Sequence, residues 1–266
     1  MTWRRILPAV VLGPLLLWAA SLPLVPAYVA VVGLCAAVGS GEVYRLLQQA
    51  GFRPLWALGI LLAVVLALDA GLTGWRLAPH VLGVVTLVVL AWAAFRPEPG
   101  SGVVDWALTI APALYVGGLL AYYMLLRGLP HGPFWVQVVL ACTWAADIGA
   151  YLVGRRWGRT KLAPTLSPAK SVEGALAGVV AAVALAGLIA LVASGAPAPP
   201  LVFLGLGVLI ALAGILGDLA ESFIKRQLGA KDASGLLLGH GGLLDRLDSL
   251  LAAGVVAYYY LVVINR

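Results

Sequence analysis

The feature that most restricts this chain is a succession of apolar runs, each near the length a helix needs to cross a bilayer, repeated from end to end. A hydrocarbon core about 30 Å thick takes roughly 20 apolar residues as a helix. In lipid, backbone polar groups must be satisfied within the segment, which favours helices over open sheet. Reading the runs between charged, Pro or Gly punctuation gives nine candidate spans, at 6–20, 22–38, 55–72, 79–95, 106–126, 133–153, 174–194, 200–221 and 247–264. The expected fold is all-α, a polytopic integral membrane protein of about nine transmembrane helices. With 62% hydrophobic residues, a soluble globular class is excluded. The first two runs are short and parted only by Ser21 to Pro26, so they read as two spans or as one broken pair. Trp3-Arg4-Arg5, the apolar run and Val25-Pro26-Ala27 have the pattern of a cleaved signal peptide. The many spans that follow favour a retained first span.

Charge sets the orientation. The formal net charge of +6 comes from basic residues in short loops that form no continuous basic face, so nucleic acid is not an expected partner. With the N-terminus in the cytoplasm, the inner segments hold Arg4, Arg5, Arg45, Arg53, Arg96, Arg155, Arg156, Arg159, Lys161, Lys170, Lys225, Arg226, Lys231 and Arg246, fourteen of the 17 Lys and Arg residues. Only Arg76, Arg127 and Arg266 fall outside. The positive-inside rule then puts residues 154–173 and 222–246 on the cytoplasmic face of an inner (plasma) membrane, and the C-terminus outside. Trp18, Trp56, Trp75, Trp92, Trp106, Trp135 and Tyr258 to Tyr260 lie near span ends, as interfacial aromatics do. Small residues such as Ala177, Gly178, Ala181, Gly207 and Gly214 permit close helix packing and would permit a homodimer. Cys35 and Cys142 sit in apolar runs without a CxxC spacing and read as buried, inert thiols. Glu42, Asp69, Glu98 and Asp105 are expected to be solvated charges at span ends or in loops. His80 and His131, beside prolines, receive no role.

The chain is only 11% charged, yet Asp218, Glu221, Lys225, Arg226, Lys231, Asp232, Asp245, Arg246 and Asp248 fall within 31 positions, between apolar flanks. Charges at a bilayer edge are costly unless they pair, bind a cation or meet a charged ligand. Asp218, Glu221, Ser222 and Lys225 form one polar stripe at helical spacing. A carboxylate there suits Mg²⁺, which keeps one or two protein carboxylates plus waters and substrate phosphates. A snorkelling helix end explains Lys225 and Arg226 but not Asp218. In His240-Gly241-Gly242 the glycines allow close backbone approach to a ligand. Asp245 and Asp248, three apart, favour one face at a helix N-terminus; N-capping would explain one of them, not both with Arg246 between.

A second block runs from Asp147 to Gly174. Asp147, Tyr151 and Arg155 share a helical stripe, with Asp147 inside a span. The segment then turns basic and offers Ser167-Pro168-Ala169-Lys170-Ser171, where turn amides and a mobile Lys suit a phosphate. The alternative is a loop basic only for topology, with Asp147 paired to an arginine for packing. Carboxylates, Mg²⁺ and Lys/Arg together are equipment for transfer at phosphorus. No GxxxxGK[ST] phosphate loop occurs.

Ser222, Lys225-Arg226, Lys231-Asp232, Ser234, His240-Gly241-Gly242, Asp245-Arg246 and Asp248, at these spacings, resemble the signature of the phosphatidate cytidylyltransferases (CDP-diacylglycerol synthases). Asp147, Tyr151, Gly154-Arg155, Gly158, Ser167-Pro168, Lys170-Ser171 and Glu173-Gly174 resemble that family's other conserved block. The resemblance covers roughly residues 140–260. It departs at Leu238, where a proline is expected before Gly239. It implies a membrane enzyme that joins CTP to phosphatidic acid, releasing pyrophosphate and forming CDP-diacylglycerol for phospholipid biosynthesis. It implies metal dependence, with Asp218 and Asp245 as the ligands of Mg²⁺ and room for a second cation. The expected catalytic set is Asp147, Asp218, Lys225, Arg226, Asp245 and Asp248. The expected substrate contacts are Tyr151, Arg155, Ser167, Lys170, Ser171, Glu173, Ser222, Lys231, Asp232, His240, Gly241, Gly242 and Arg246, with Glu221 and Asp232 in support. Residues 1–130 would be N-terminal transmembrane helices and 131–266 the catalytic region of one membrane domain. The rivals are a cytidylyltransferase for another lipid phosphate and an ion-coupled secondary transporter using Asp147 and Asp218; a CDP-alcohol phosphotransferase lacks its Asp-Gly…Ala-Arg pattern here.

Overall fold

The computed structural model describes residues 25–95, 102–234 and 241–264. Among these residues the fold is nearly all helix: α1 (Val25–Gln49), α2 (Trp56–Leu72), α3 (Ala78–Ala94), α4 (Gly102–Ala113), α5 (Leu119–Gly128), α6 (Gly132–Trp157), α7 (Val172–Val192), α8 (Pro200–Gln227) and α9 (Leu244–Ile264). The exception is a two-stranded antiparallel hairpin, β1 (Lys161–Ala163) and β2 (Ser167–Ser171). A π-helical stretch, Leu114–Gly118, joins α4 to α5 into one apolar helix, Gly102–Gly128. Six helices in the described residues are long and apolar enough to cross a membrane. This is fewer than the nine spans expected. The run at 6–20, and with it the retained first span, lies outside the described residues. The runs at 55–72 and 79–95 become α2 and α3, apolar helices of 17 residues each, or about 26 Å at ~1.5 Å per residue, at the lower end of what a crossing takes.

The chain divides into two compact units, one of Met1–Gly128 with Gln227–Asp245, the other of Leu129–Arg226 with Arg246–Arg266. In the first, α2 lies against α1, α4 and α5 through glycines. A Cβ on Gly59 would overlap the Tyr44 hydroxyl, and one on Gly117, in the π-helical stretch, would overlap the Ala63 backbone. Pro112 lies just before that stretch, where its missing N–H leaves one ladder bond unmade. Tyr44 Oη donates to the Thr109 carbonyl (2.5 Å), so its polar tip is satisfied in an apolar core. α1 ends in a left-handed Gly51 (φ +90°), with Gly51 N bonded to Gln48 O (3.1 Å) and Phe52 N to Leu47 O (3.0 Å).

In the second unit, α6 and α7 run together along small residues. A Cβ on Gly149, Gly174 or Gly178 would press on Ala177, Ala150 or Ala146. The β1–β2 hairpin links the two helices, with Lys161 opposite Ser171 and Ala163 opposite Ser167. Trp135, expected at an interface, is 3% exposed and packs on Phe203 with ring centroids 5.1 Å apart. Both cysteines are free and buried.

Three of the carboxylates expected in solvent are buried instead. Glu42, Asp69 and Asp105 are 3%, 4% and 2% exposed; Glu98 lies outside the described residues. The reason is the same each time: a turn or helix start needs an acceptor where water is absent. Asp105 accepts from Arg53 N (2.9 Å). Asp69 accepts from Thr73 Oγ1, Leu77 N (2.9 Å) and Ala78 N (2.6 Å), tying the α2–α3 turn to the start of α3. Asp69→Ala should therefore lower stability by about 2 kcal/mol, the scale of losing charge-assisted bonds to buried amides. Thermal unfolding in detergent reads this, and an unchanged midpoint would contradict the clamp.

Candidate active site

Helices α6, α8 and α9 and strand β2 of the second unit bring charged or polar groups together. Gly217 explains how. A Cβ there would overlap the Asp248 carbonyl and stand 3.1 Å from Ala252 Cβ, so only glycine lets α9 approach α8 at this level. Three carboxylates thereby converge: Asp218 and Glu221 from α8 and Asp248 from α9, with one oxygen of each within 4.8 Å of the others. Glu221 is buried, while Asp218 and Asp248 are half-buried. Two lysines answer them. Lys170, from β2, forms an ion pair with Asp218, and Lys225 Nζ bonds Glu221 Oε2 at 2.8 Å, one helical turn away. Asp147 on α6 accepts from Ser249 Oγ (3.5 Å), next in sequence to Asp248, whose own Oδ1 accepts from Ser249 N (2.7 Å).

The donor set fits a hard divalent cation. All three groups offer carboxylate oxygen, and Mg²⁺ prefers oxygen at about 2.0–2.1 Å. Opposite ligands in such an octahedron stand about 4.2 Å apart, so a group within 4.8 Å needs only small side-chain movement to close on an ion.

The other expected residues divide by what they touch. Arg155 Nη1 donates to the Tyr151 hydroxyl (2.9 Å), with both side chains exposed one turn apart on α6. Arg226 is exposed, with Nε 3.5 Å from the Leu166 carbonyl of the hairpin. Ser222 is half-buried on α8, and Arg246 is exposed on α9. Ser167 opens β2. Ser171 and Glu173 hold backbone instead: Ser171 Oγ caps α7 by accepting from Gly174 N (3.1 Å), and Glu173 accepts from Arg159 N and Thr160 N, both at 3.1 Å. These bonds fix the two ends of the hairpin that carries Lys170.

The remaining candidates belong to the first unit. Lys231 and Asp232 are exposed. Asp245 accepts from Ala233 N (3.0 Å) and Gly242 N (2.6 Å), and Gly241, at φ +78°, lies against its carboxylate. A Cβ on Gly242 would meet the Glu42 carboxylate, so the closeness that its glycine allows is taken up within the chain. His240 is outside the described residues. Two groups go beyond the sequence reading. Glu221, expected only in support, sits in the carboxylate group itself. Glu42 was hidden by ending the second span at residue 38, whereas α1 continues to Gln49.

Residues 3–264 match the model of a family described as "Cytidylyltransferase family". The chain is 36% identical over 269 residues to the phosphatidate cytidylyltransferase of Brucella suis biovar 1 (strain 1330), covering 96% of this chain and 92% of the relative. It is 30% identical over 262 residues to the protein of that name from Synechocystis sp. (strain ATCC 27184 / PCC 6803 / Kazusa), covering 88% of each. To the protein of that name from Mycobacterium tuberculosis (strain ATCC 25618 / H37Rv) it is 34% identical over 250 residues, covering 88% of this chain and 74% of the relative.

The close approach at Gly217 is testable without an assay of activity. Gly217→Ala should cost about 1–3 kcal/mol through overpacking, because the obstructing atom is backbone and cannot turn aside. Thermal unfolding in detergent should show the loss. A neutral substitution would mean that α8 and α9 do not meet here.

Proposed function

The chain belongs to the cytidylyltransferase family, and from that premise we propose that it is a phosphatidate cytidylyltransferase. It joins CTP to phosphatidic acid, giving CDP-diacylglycerol and pyrophosphate in phospholipid biosynthesis. The observation that carries this reading is 36% identity to an enzyme of that name, spread over 96% of this chain. The convergence of carboxylates and lysines in the second unit supports it, because it is equipment for phosphorus chemistry.

An oxygen of the lipid phosphate attacks the α-phosphorus of CTP. One P–O bond forms, the bond to the β-phosphate breaks, and pyrophosphate leaves with the electron pair. The nucleophile belongs to the substrate, so no Ser or Cys of the chain need become covalently attached. Asp218, Glu221 and Asp248 would hold Mg²⁺. Asp245, expected from the sequence as a second ligand with Asp218, stands in this proposal as a further ligand, with room for a second cation. When bound, Mg²⁺ neutralises phosphate charge and orients the nucleotide. Lys170 keeps an ammonium beside the carboxylates, so a phosphate drawn to it arrives where a metal would be held. Lys225, Arg226 and Arg246 bring further positive charge for two anionic substrates that otherwise repel. Arg155 and Tyr151, joined by their hydrogen bond, extend this polar surface along α6 from Asp147. The remaining expected substrate contacts, Ser167, Ser171, Glu173, Ser222, Lys231, Asp232, His240, Gly241 and Gly242, stay in this proposal on the strength of the sequence motifs alone.

The catalytic region is assigned to residues 131–266 and the supporting helices to 1–130. The six long apolar helices make this a membrane protein. Its placement in the inner membrane, with the site facing the cytoplasm where CTP is found, rests on the positive-inside count. Acyl chains would stay in the bilayer, and small-residue faces would permit a homodimer.

Purified protein given CTP, Mg²⁺ and phosphatidic acid should release pyrophosphate, and chelation should abolish the release until Mg²⁺ is restored. Asp218→Asn and Asp248→Asn should each lower kcat about 100-fold or more, the scale of a lost metal ligand. Full activity in both would remove the metal assignment; no pyrophosphate from the wild-type protein would remove the function.

A further inference from the structure

Glu42 takes no part in the site above, yet its carboxylate is buried and accepts from three donors within the first unit. It is 3% exposed in α1, and its Oε1 accepts from Ser234 Oγ (2.5 Å) and Leu243 N (3.0 Å). Its Oε2 accepts from Leu244 N (2.7 Å). Gly242 lies so close that any Cβ would run into the carboxylate.

We infer that Glu42 is a positioning residue for the cytidylyl transfer: from α1 it fixes the first turn of α9, where Leu244 is followed by Asp245. α9 begins at Leu244, and its first amides have no carbonyl partners within the helix. Gly242 and Leu243 have no side-chain oxygen to cap it. Leaving those amides bare in an apolar setting is expensive, and the partial positive charge of a helix N-terminus favours a carboxylate. A Ser or Asp at position 243 would have met the need locally without burying a charge. The chain instead brings the acceptor from about 200 residues away. A local cap leaves a helix free to turn about its axis; a remote bidentate one sets where the helix starts and which way it faces. Successive residues of a helix turn by about 100°, so the angle fixed at Leu244 is the angle at which Asp245, the next residue, leaves the helix. Only a carboxylate performs this task. Three donors share its two oxygens, and a Gln in its place would turn an NH₂ group towards one set of them.

The inference rests on the proposed function, and its test has one readout that does not. The full-length wild-type protein, Glu42→Gln and Ser234→Ala are compared in detergent by hydrogen exchange over residues 241–250 and by kcat, KM for each substrate and half-saturating Mg²⁺. Glu42→Gln should speed exchange at Leu243 and Leu244 about tenfold, the scale of a lost cap, and leave peptides from the middle of α8 unchanged. Its kcat per folded molecule should fall about tenfold or more and its half-saturating Mg²⁺ rise, with KM for phosphatidic acid within about twofold. Ser234→Ala removes one of three donors and should move exchange and kcat the same way by less, about two- to threefold. Unchanged exchange in Glu42→Gln, or a kcat per folded molecule equal to wild type, overturns the inference. Should Glu42→Gln not fold, Ser234→Ala decides by the same two readouts. Wild-type protein that releases no pyrophosphate overturns the proposed function, and the exchange comparison still decides whether Glu42 holds α9.

Discussion

A polar group inside an apolar helix has no water to fall back on, so its partner must come from the protein, and this cost shapes each unit. In the second, Asp218 and Glu221 leave an otherwise apolar stretch of α8 and are met by Lys170 and Lys225. In the first, Glu42, Asp69 and Asp105 are buried against backbone amides that would otherwise lack acceptors. Ser40 and Thr143 solve the same problem on their own helices, each hydroxyl donating to a carbonyl four residues back (2.6 and 2.8 Å). Helices long enough to cross a membrane can carry such groups only because each is answered.

Glycine makes the answers reachable. Apolar burial gives little attraction between helices in lipid, and packing depends on how closely backbones approach. Gly217 brings Asp248 to Asp218, and Gly174 with Gly178 lets α7 lie along α6. Were two carboxylates from different helices to share one cation, a side chain at the crossing would be enough to part them. The small residue and the acidic residue are adjacent in sequence at Gly217 and Asp218 because they serve one geometry.

Much of this was legible in the sequence. Apolar runs mark the helices, Asp218 and Asp248 stand out as charges too costly to be incidental, and Lys170 as a mobile ammonium in a turn suited to phosphate. Where sequence and structure differ, a charge that reads as the edge of a helix is a buried part of one. Glu42 and Arg45 seemed to close a span at residue 38, yet α1 continues to Gln49 because the carboxylate is buried and bonded. Asp69 does lie near a helix end, α2 stopping at Leu72, but the amides of Leu77 and Ala78 bury its carboxylate instead of water solvating it. Whether a charge ends a helix or lies inside it depends on partners far along the chain, and local pattern does not encode them. Glu221 was underrated similarly, since its spacing from Asp218 was visible but the approach of α9 was not. The hairpin between α6 and α7 was hidden too, because Lys161–Ala163 and Ser167–Ser171 are too short to show an alternating pattern.

That hairpin works as a gauge of length. Side chains along a strand alternate between two faces, so Lys170 points to the Asp218 side only in the present register, with its ends pinned by Ser171 and Glu173. Substitutions at the exposed Pro168 or Ala169 leave that register intact. One residue added or removed between the pins would turn the ammonium to the opposite face while every residue type stayed the same. The number of residues between those pins therefore decides which face of the hairpin carries the ammonium.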